Sequence, residues 1–232
     1  MWGVFLFDVY LSIMLQTNLQ SIQSNLDKEL TKLDRKKNSV TLIVVSKKQS
    51  VEKISQLIEL GQIDFGENQL QEIEAKWPLI KNKYPQIKLH FIGTIQSRKI
   101  QRIFELCDEI HSVDRIKIAK AIKELEKKYN QKKSYFIQVN TGHEPLKSGV
   151  NIDDIDKFIE EVRSQHDLSI KGLMCIPPIQ DNPENHFKML RNIANKYQIK
   201  CLSMGMSSDY DIAVQNGATH VRLGTLIFGE RH

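Results

Sequence analysis

The stretch "TLIVVSKKQS" (41–50) decides how the rest of the chain is read. Its apolar, β-branched run lacks polar alternation, the pattern of a strand buried on both faces in a parallel sheet. The run ends in a serine and two lysines. Alternation alone does not say which of Lys47 and Lys48 turns inward, because the register of the strand is unknown.

The same signature returns along the chain. "IDFG" (63–66), "KLHFIG" (88–93), "EIHSV" (109–113), "SYFIQVN" (134–140), "IKGLMCI" (170–176), "CLSMG" (201–205) and "HVRLG" (220–224) read as seven further strands. Helical stretches separate them: 51–61, 67–83, about 98–106, a segment capped by Asp114, then 152–165, 182–197 and 208–216. The stripe Ile155, Phe158, Ile159 and Val162 is typical of their spacing. One more helix leads, with Leu15, Leu19, Ile22, Leu26, Leu30 and Leu33 on one face. Strict alternation implies an α/β fold with a parallel sheet. Eight repeats in 232 residues favour a single (β/α)8 TIM-type barrel over an open sheet. The leading helix is expected to cover the gap after the eighth strand. Residues 15–232 read as the barrel. Residues 1–14 read as a disordered extension, or as a start placed too early, with Met14 the true one.

The 33 basic and 28 acidic residues leave a net charge of +5, but the basic ones are scattered along helices. A nucleic-acid binder gathers them, so no nucleic-acid partner is expected. The apolar first thirteen residues lack the basic start of a secretory signal. They are too short to span a bilayer, which takes about 20 apolar residues. No membrane association is expected. Cys107, Cys175 and Cys201 are odd in number and show no CxxC spacing, which suits a reducing, cytoplasmic compartment. No HExxH, GxGxxG or GxxxxGK motif occurs, and no metal site is implied.

In a barrel of this kind the reactive face is built by the loops that follow the strands. Two of them, "GMSSD" (205–209) and "GT" (224–225), combine glycines, hydroxyls and helix starts where phosphate is commonly held. Lys47 opens onto the same mouth. A lysine facing a phosphate site suggests a Schiff base to pyridoxal 5′-phosphate, or a phosphosugar barrel in which the lysine only neutralises charge. Alternatively, the lysine simply faces solvent, Ser207 or Ser208 only caps a helix, and Gly224 only makes a turn.

The segments "VVSKKQS", "FGENQLQE", "HFIGTIQSRK", "VNTGHEPLKSG", "GLMCIPP" and "LSMGMSSDYDIAVQNGATHVRLGTLIFGER" occur in order from about residue 15 to 231. Together they resemble the pyridoxal phosphate homeostasis protein family, short relatives of the alanine racemase N-terminal domain. The resemblance implies that Lys47 forms the Schiff base and that Ser207, Gly224 and Thr225 contact the phosphate. It also implies that Arg222 meets the pyridine nitrogen, with Asn68 and His90 near the other edge of the cofactor. Two departures from the pattern, Arg98 in "GTIQSRK" and the missing Thr-Lys-Pro after the lysine, leave Lys47 untouched.

A guanidinium does not readily give up its proton. Arg222 would therefore leave the ring nitrogen neutral and weaken the electron sink; alternatively it only pairs with Glu230. Racemisation needs a second base opposite the lysine. In full-length racemases of this lineage that base is a tyrosine from a second domain. None of the six tyrosines here lies in a strand-end loop, although Tyr210 is close to one. The expectation is a cytoplasmic, monomeric carrier that supplies the cofactor to apo-enzymes by transient contact, without efficient catalysis. An amino-acid racemase or lyase of narrow scope is the alternative.

Overall fold

A computed structural model describes the backbone of residues 2–230 and the side chains of residues 11–230. Met1, Arg231 and His232, the outermost residues of the two segments expected above, lie outside it. The strands are β1 (Thr41–Val45), β2 (Asp64–Glu67), β3 (Lys88–Phe91), β4 (Glu109–Val113), β5 (Ser134–Asn140), β6 (Val150–Asn151), β7 (Ile170–Cys175), β8 (Cys201–Ser203) and β9 (His220–Leu223). β1 pairs in parallel with β2 on one side and β9 on the other. Pairing then continues through β3, β4, β5, β7 and β8 back to β9, so eight strands close a barrel. The two-residue β6 hangs on the end of β5 outside that ring, a strand too short to leave a periodic signal.

Around the barrel run α1 (Trp2–Lys32), α2 (Val51–Glu59), α3 (Leu70–Lys83), α4 (Ile100–Leu106), α5 (Ile116–Tyr129), α6 (Ile155–Ser164), α7 (Pro183–Lys196), α8 (Tyr210–Gln215) and α9 (Thr225–Phe228). α1 packs against α2, α8 and α9. It thus fills the ring position after the last strand, where α9 has only four residues. Its stripe of Leu15, Leu19, Ile22, Leu26 and Leu30 is at most 5% exposed, worth about 2 kcal/mol for each side chain.

Several boundaries differ from the sequence expectation, and three of them have a plain physical reason. The backbone of residues 2–14 is helical and continuous with the rest of α1, and Leu11 and Met14 pack on the core. The stripe simply continues backward from Leu15 at helical spacing. α3 starts at Leu70 rather than 67, because Glu67 still pairs with Phe91 as a strand residue. The cap of α5 is Arg115, and Asp114 instead accepts from the Arg115 guanidinium at 2.6 Å.

Alternation gives each strand an outer and an inner row. The outer row (Leu42, Val44, Phe65, Leu89, Ile110, Ile137, Leu173 and Val221) packs under the helices. The inner row is polar for a barrel lumen, where branched apolar residues usually dominate. His90 faces His111, the His111 ring stacks on Phe136 at 4.0 Å, and His220 meets Phe136 edge-on at 5.1 Å. Gly172 makes room for Phe136: a Cβ there would lie 2.3 Å from the ring and 2.6 Å from the Cys201 carbonyl.

Gly172→Ala should therefore cost about 2–3 kcal/mol, read by urea denaturation, since neither ring nor backbone has space to yield. The lumen histidines also make stability depend on pH. Burial pushes the His220 ring down to about 4 and pushes His111 well below its ordinary value. An unfolded histidine takes up its proton near pH 6.5. Between there and pH 4 the unfolded chain binds more protons than the folded one. Stability should fall as pH is lowered through that window, by roughly 3 kcal/mol from His220 alone. His220→Gln should flatten the slope.

Candidate functional site

At the C-terminal mouth of the barrel, the ends of β1 and β9 and the loop after β8 enclose a cavity of about 490 Å³. Val45, Lys47, Met206, Ser207, Ser208, Arg222, Gly224, Thr225 and Leu226 line it. Five of the seven residues singled out in the sequence thus share one wall: Lys47, Ser207, Arg222, Gly224 and Thr225. Among the described residues no acidic side chain lines the cavity, and they offer it one amine, one guanidinium and three hydroxyls. The chemistry of that donor set suits an anion.

Each group is held by its own local reason. Lys47 is half-buried on the cavity wall, whereas Lys48 is exposed and turns away with φ +60°. The Lys48 N–H donates to Glu72 Oε2. Just before them, Ser46 is fully buried and donates to Glu67 Oε1 at 2.8 Å. Lys76 Nζ reaches the same oxygen at 2.8 Å, the Ser46 carbonyl at 3.1 Å and Glu72 at 2.9 Å. Trp77 Nε1 donates to Glu67 Oε1 at 3.2 Å. This buried cluster clamps the turn that presents Lys47.

Gly205 sits at φ +94°, where a Cβ would strike that of Ala213 at 2.6 Å. Its carbonyl accepts the backbone N–H of Arg222 at 3.0 Å, tying the Ser207 loop to β9. Neither Ser207 nor Ser208 caps α8: the cap is Asp209, whose Oδ1 accepts from the Met206 N–H at 2.6 Å. At Gly224 a Cβ would crowd the Val45 carbonyl at 3.2 Å. Thr225 and Leu226 open α9, so their N–H groups have no acceptor within the helix.

Arg222 is 4% exposed. Its Nη1 donates to Ser203 Oγ at 2.8 Å and its Nη2 to the Cys175 carbonyl at 2.9 Å. Burial lowers its pKa, while the neighbouring Cys175 and Asp209 act the other way. Its partners are therefore lumen groups and not Glu230.

The structure does not bring the other two singled-out residues to this cavity. Asn68 lines a separate pocket of about 310 Å³ with Gln69, Phe91, Thr94 and Gln96. Its Oδ1 is buried without a hydrogen-bond partner. His90 points down the lumen, bonding Asp64 at 2.9 Å and His111 at 3.0 Å. Its ring is held there by those two bonds, although its backbone pairs with Gly66 and Glu109. Sequence reasoning missed Glu67, Lys76, His111 and Ser203. Only the histidine in "EIHSV" carried a visible sign, a polar residue between apolar neighbours in a buried strand.

Among known proteins, the family described as "Alanine racemase, N-terminal domain" matches residues 17–232. The pyridoxal phosphate homeostasis protein of Vibrio cholerae is 38% identical over 94% of this chain and 96% of its own length. Its Escherichia coli K12 namesake is 31% identical over 92% and 95%. The structure of PipY from Synechococcus elongatus with PLP bound superposes with a TM-score of 0.77 at 31% identity, covering 88% of this chain and all of that one. An alanine racemase from Clostridium difficile shares the fold, with a TM-score of 0.71 at 14% identity; 56% of that chain is covered. This chain belongs to the alanine racemase N-terminal-domain family, among the single-barrel pyridoxal phosphate homeostasis proteins.

Proposed function

We propose that this protein binds pyridoxal 5′-phosphate in the mouth cavity, holds it as a Schiff base on Lys47 and passes it to apo-enzymes, acting as a cytoplasmic monomer. The observation that carries this proposal is the convergence of Lys47, Arg222, Ser207, Gly224 and Thr225 on one cavity with no acidic lining among the described residues. The names of the relatives and the PLP found in PipY support it. When bound, the cofactor supplies an aldehyde that condenses with an amine, and a ring that draws electrons.

The chain's own residues do the rest. Lys47 presents its amine from a turn that the Glu67–Lys76 cluster keeps from shifting. Ser207 and Thr225 offer hydroxyl donors, and the α9 start offers N–H groups, to phosphate oxygens. Arg222 can only donate, so it would meet the ring nitrogen without protonating it. None of the tyrosines with described side chains lines the cavity, which favours a carrier over a racemase with a second base opposite Lys47.

Purified protein mixed with the cofactor should turn yellow, and Lys47→Ala should stay colourless. Borohydride reduction followed by peptide mapping should find the adduct on Lys47. An adduct on Lys48 alone, or none, would contradict the proposal. Thr225→Val should weaken binding about tenfold, the loss of one hydrogen bond to a charged group. Loaded protein should reactivate an apo-enzyme faster than the cofactor dissociates spontaneously. Equal rates would leave a binder but no carrier, and exchange of amino-acid α-protons in deuterated water would favour the racemase.

A further inference from the structure

The lumen holds an unbroken line of hydrogen bonds from the mouth to the opposite end of the barrel. Arg222 Nη1 meets Ser203 Oγ at 2.8 Å, and Ser203 Oγ meets His111 Nδ1 at 2.9 Å. His111 Nε2 meets His90 Nδ1 at 3.0 Å, and His90 Nε2 meets Asp64 Oδ1 at 2.9 Å. Arg222 lines the mouth cavity. Asp64 lines a second cavity of about 560 Å³ at the N-terminal ends of β1 and β2, beside Asp27 and Gln62.

The two ends fix the direction of every bond between them. A carboxylate only accepts, so His90 donates from Nε2 and, when neutral, accepts at Nδ1. His111 must then donate from Nε2 and accept at Nδ1, which forces Ser203 to donate its hydroxyl proton to His111. Ser203 Oγ is left to accept from Arg222, which only donates. One proton arrangement satisfies all five groups.

We infer that Asp64, His90, His111 and Ser203 are positioning residues for Arg222: a tautomer-directed relay through which the far end of the barrel sets the field that Arg222 presents to the cofactor ring. This rests on the cofactor site proposed above. The other charged groups around the relay are Glu109 and Lys171. Glu109 Oε1 accepts from Lys171 at 2.5 Å, while its Oε2 is buried without a hydrogen bond, 3.7 Å from both His90 Nδ1 and His111 Nε2. His220 stands edge-on to His111, 5.9 Å between ring centres.

One proton added at the base puts a charge on His90, beside that unpaired Glu109 oxygen. His90 Nδ1 then donates, so His111 must carry its proton on Nδ1. Ser203 Oγ then accepts from both His111 and Arg222. The protons balance with one gained in total: the Ser203 hydroxyl proton turns out of the line, and Arg222 still donates to Ser203 Oγ, whose O–H dipole has rotated. His90, His111 and Glu109 also offer three possible metal ligands within 4.8 Å of one another. The two ring nitrogens already bond each other, however, and the proton between them leaves one without a lone pair for an ion.

The test uses the full chain with and without pyridoxal 5′-phosphate. Without it, nitrogen-15 NMR of the histidine rings should find His90 and His111 both protonated on Nε2. Asp64→Asn should change the ring signals of His111, which Asp64 does not touch; Asp64→Glu should restore them, and Asp27→Asn, in the same cavity, should not. With the cofactor, the pH midpoint of its visible absorbance should move by on the order of half a unit in Asp64→Asn, and not in Asp27→Asn. His111 protonated on Nδ1 in the parent, or indifferent to Asp64→Asn, would overturn the relay. So would an unmoved absorbance midpoint in protein that binds the cofactor. Should Asp64→Asn fail to fold, Ser203→Ala replaces it, with His90 keeping its tautomer and the midpoint moving; an unmoved midpoint there also overturns the inference. A parent that never gains colour would sink the binding proposal instead, and the tautomers would still decide the relay.

Discussion

A guanidinium inside a barrel has to be given acceptors, because it cannot shed its proton and an unpaired buried charge is costly. Arg222 satisfies this with an oxygen from each of the two strands before its own, Ser203 on β8 and the Cys175 carbonyl on β7. The arrangement exists only when the ring of strands is closed in this register. Its consequences spread both ways. Downward, Ser203 is drawn to His111 and the polar line that ends at Asp64. Upward, the Arg222 N–H takes the carbonyl of Gly205, which holds the Ser207 loop over the mouth.

The second constraint is the turn that carries Lys47. Its clamp is a buried ion pair, Glu67 with Lys76, at 2.8 Å and with side-chain exposures of 0% and 11%. Such pairs are weak evidence for stability, since desolvation offsets most of the attraction. Here the geometry fits a positioning role. Ser46, Gln49 and Glu72 all converge on the same ammonium or its carboxylate. An amine that must meet an aldehyde gains from being fixed in place. The floor of the site is thus set by Arg222 and its side by Lys76, from opposite edges of β1.

Much of this was legible in the sequence. Runs such as "TLIVV" and "SYFIQVN" could be nothing but buried strands once helices alternated with them, and eight of them close a barrel. The loop ends gave the mouth residues because parallel topology sends every strand's C-terminus to one face. The lumen was not legible. Which residue of "KLHF" or "HVRL" turns inward depends on register and shear, which pairing fixes and local pattern does not. His90 was therefore expected at the mouth, where a histidine near a cofactor makes chemical sense, yet its ring bonds Asp64 and His111 in the lumen. Lys47 and Lys48 were indistinguishable by alternation; the left-handed backbone at Lys48, which carries that residue outward, has no signature in "SKKQS". The start of α1 was missed for a different reason: an apolar, charge-poor run without a cap looks like a terminal extension, although its backbone continues the helix that carries Leu15 and Leu30.

The central claim is that one cavity, between Lys47 and Arg222, is where the cofactor sits. A crystal structure of the protein grown with pyridoxal 5′-phosphate tests it most directly. The account predicts continuous density from Lys47 Nζ into the ring, the ring nitrogen toward Arg222, and the phosphate against Ser207, Gly224 and Thr225. Density beside Asp64 or Asn68 instead, with the mouth filled only by water, would contradict it.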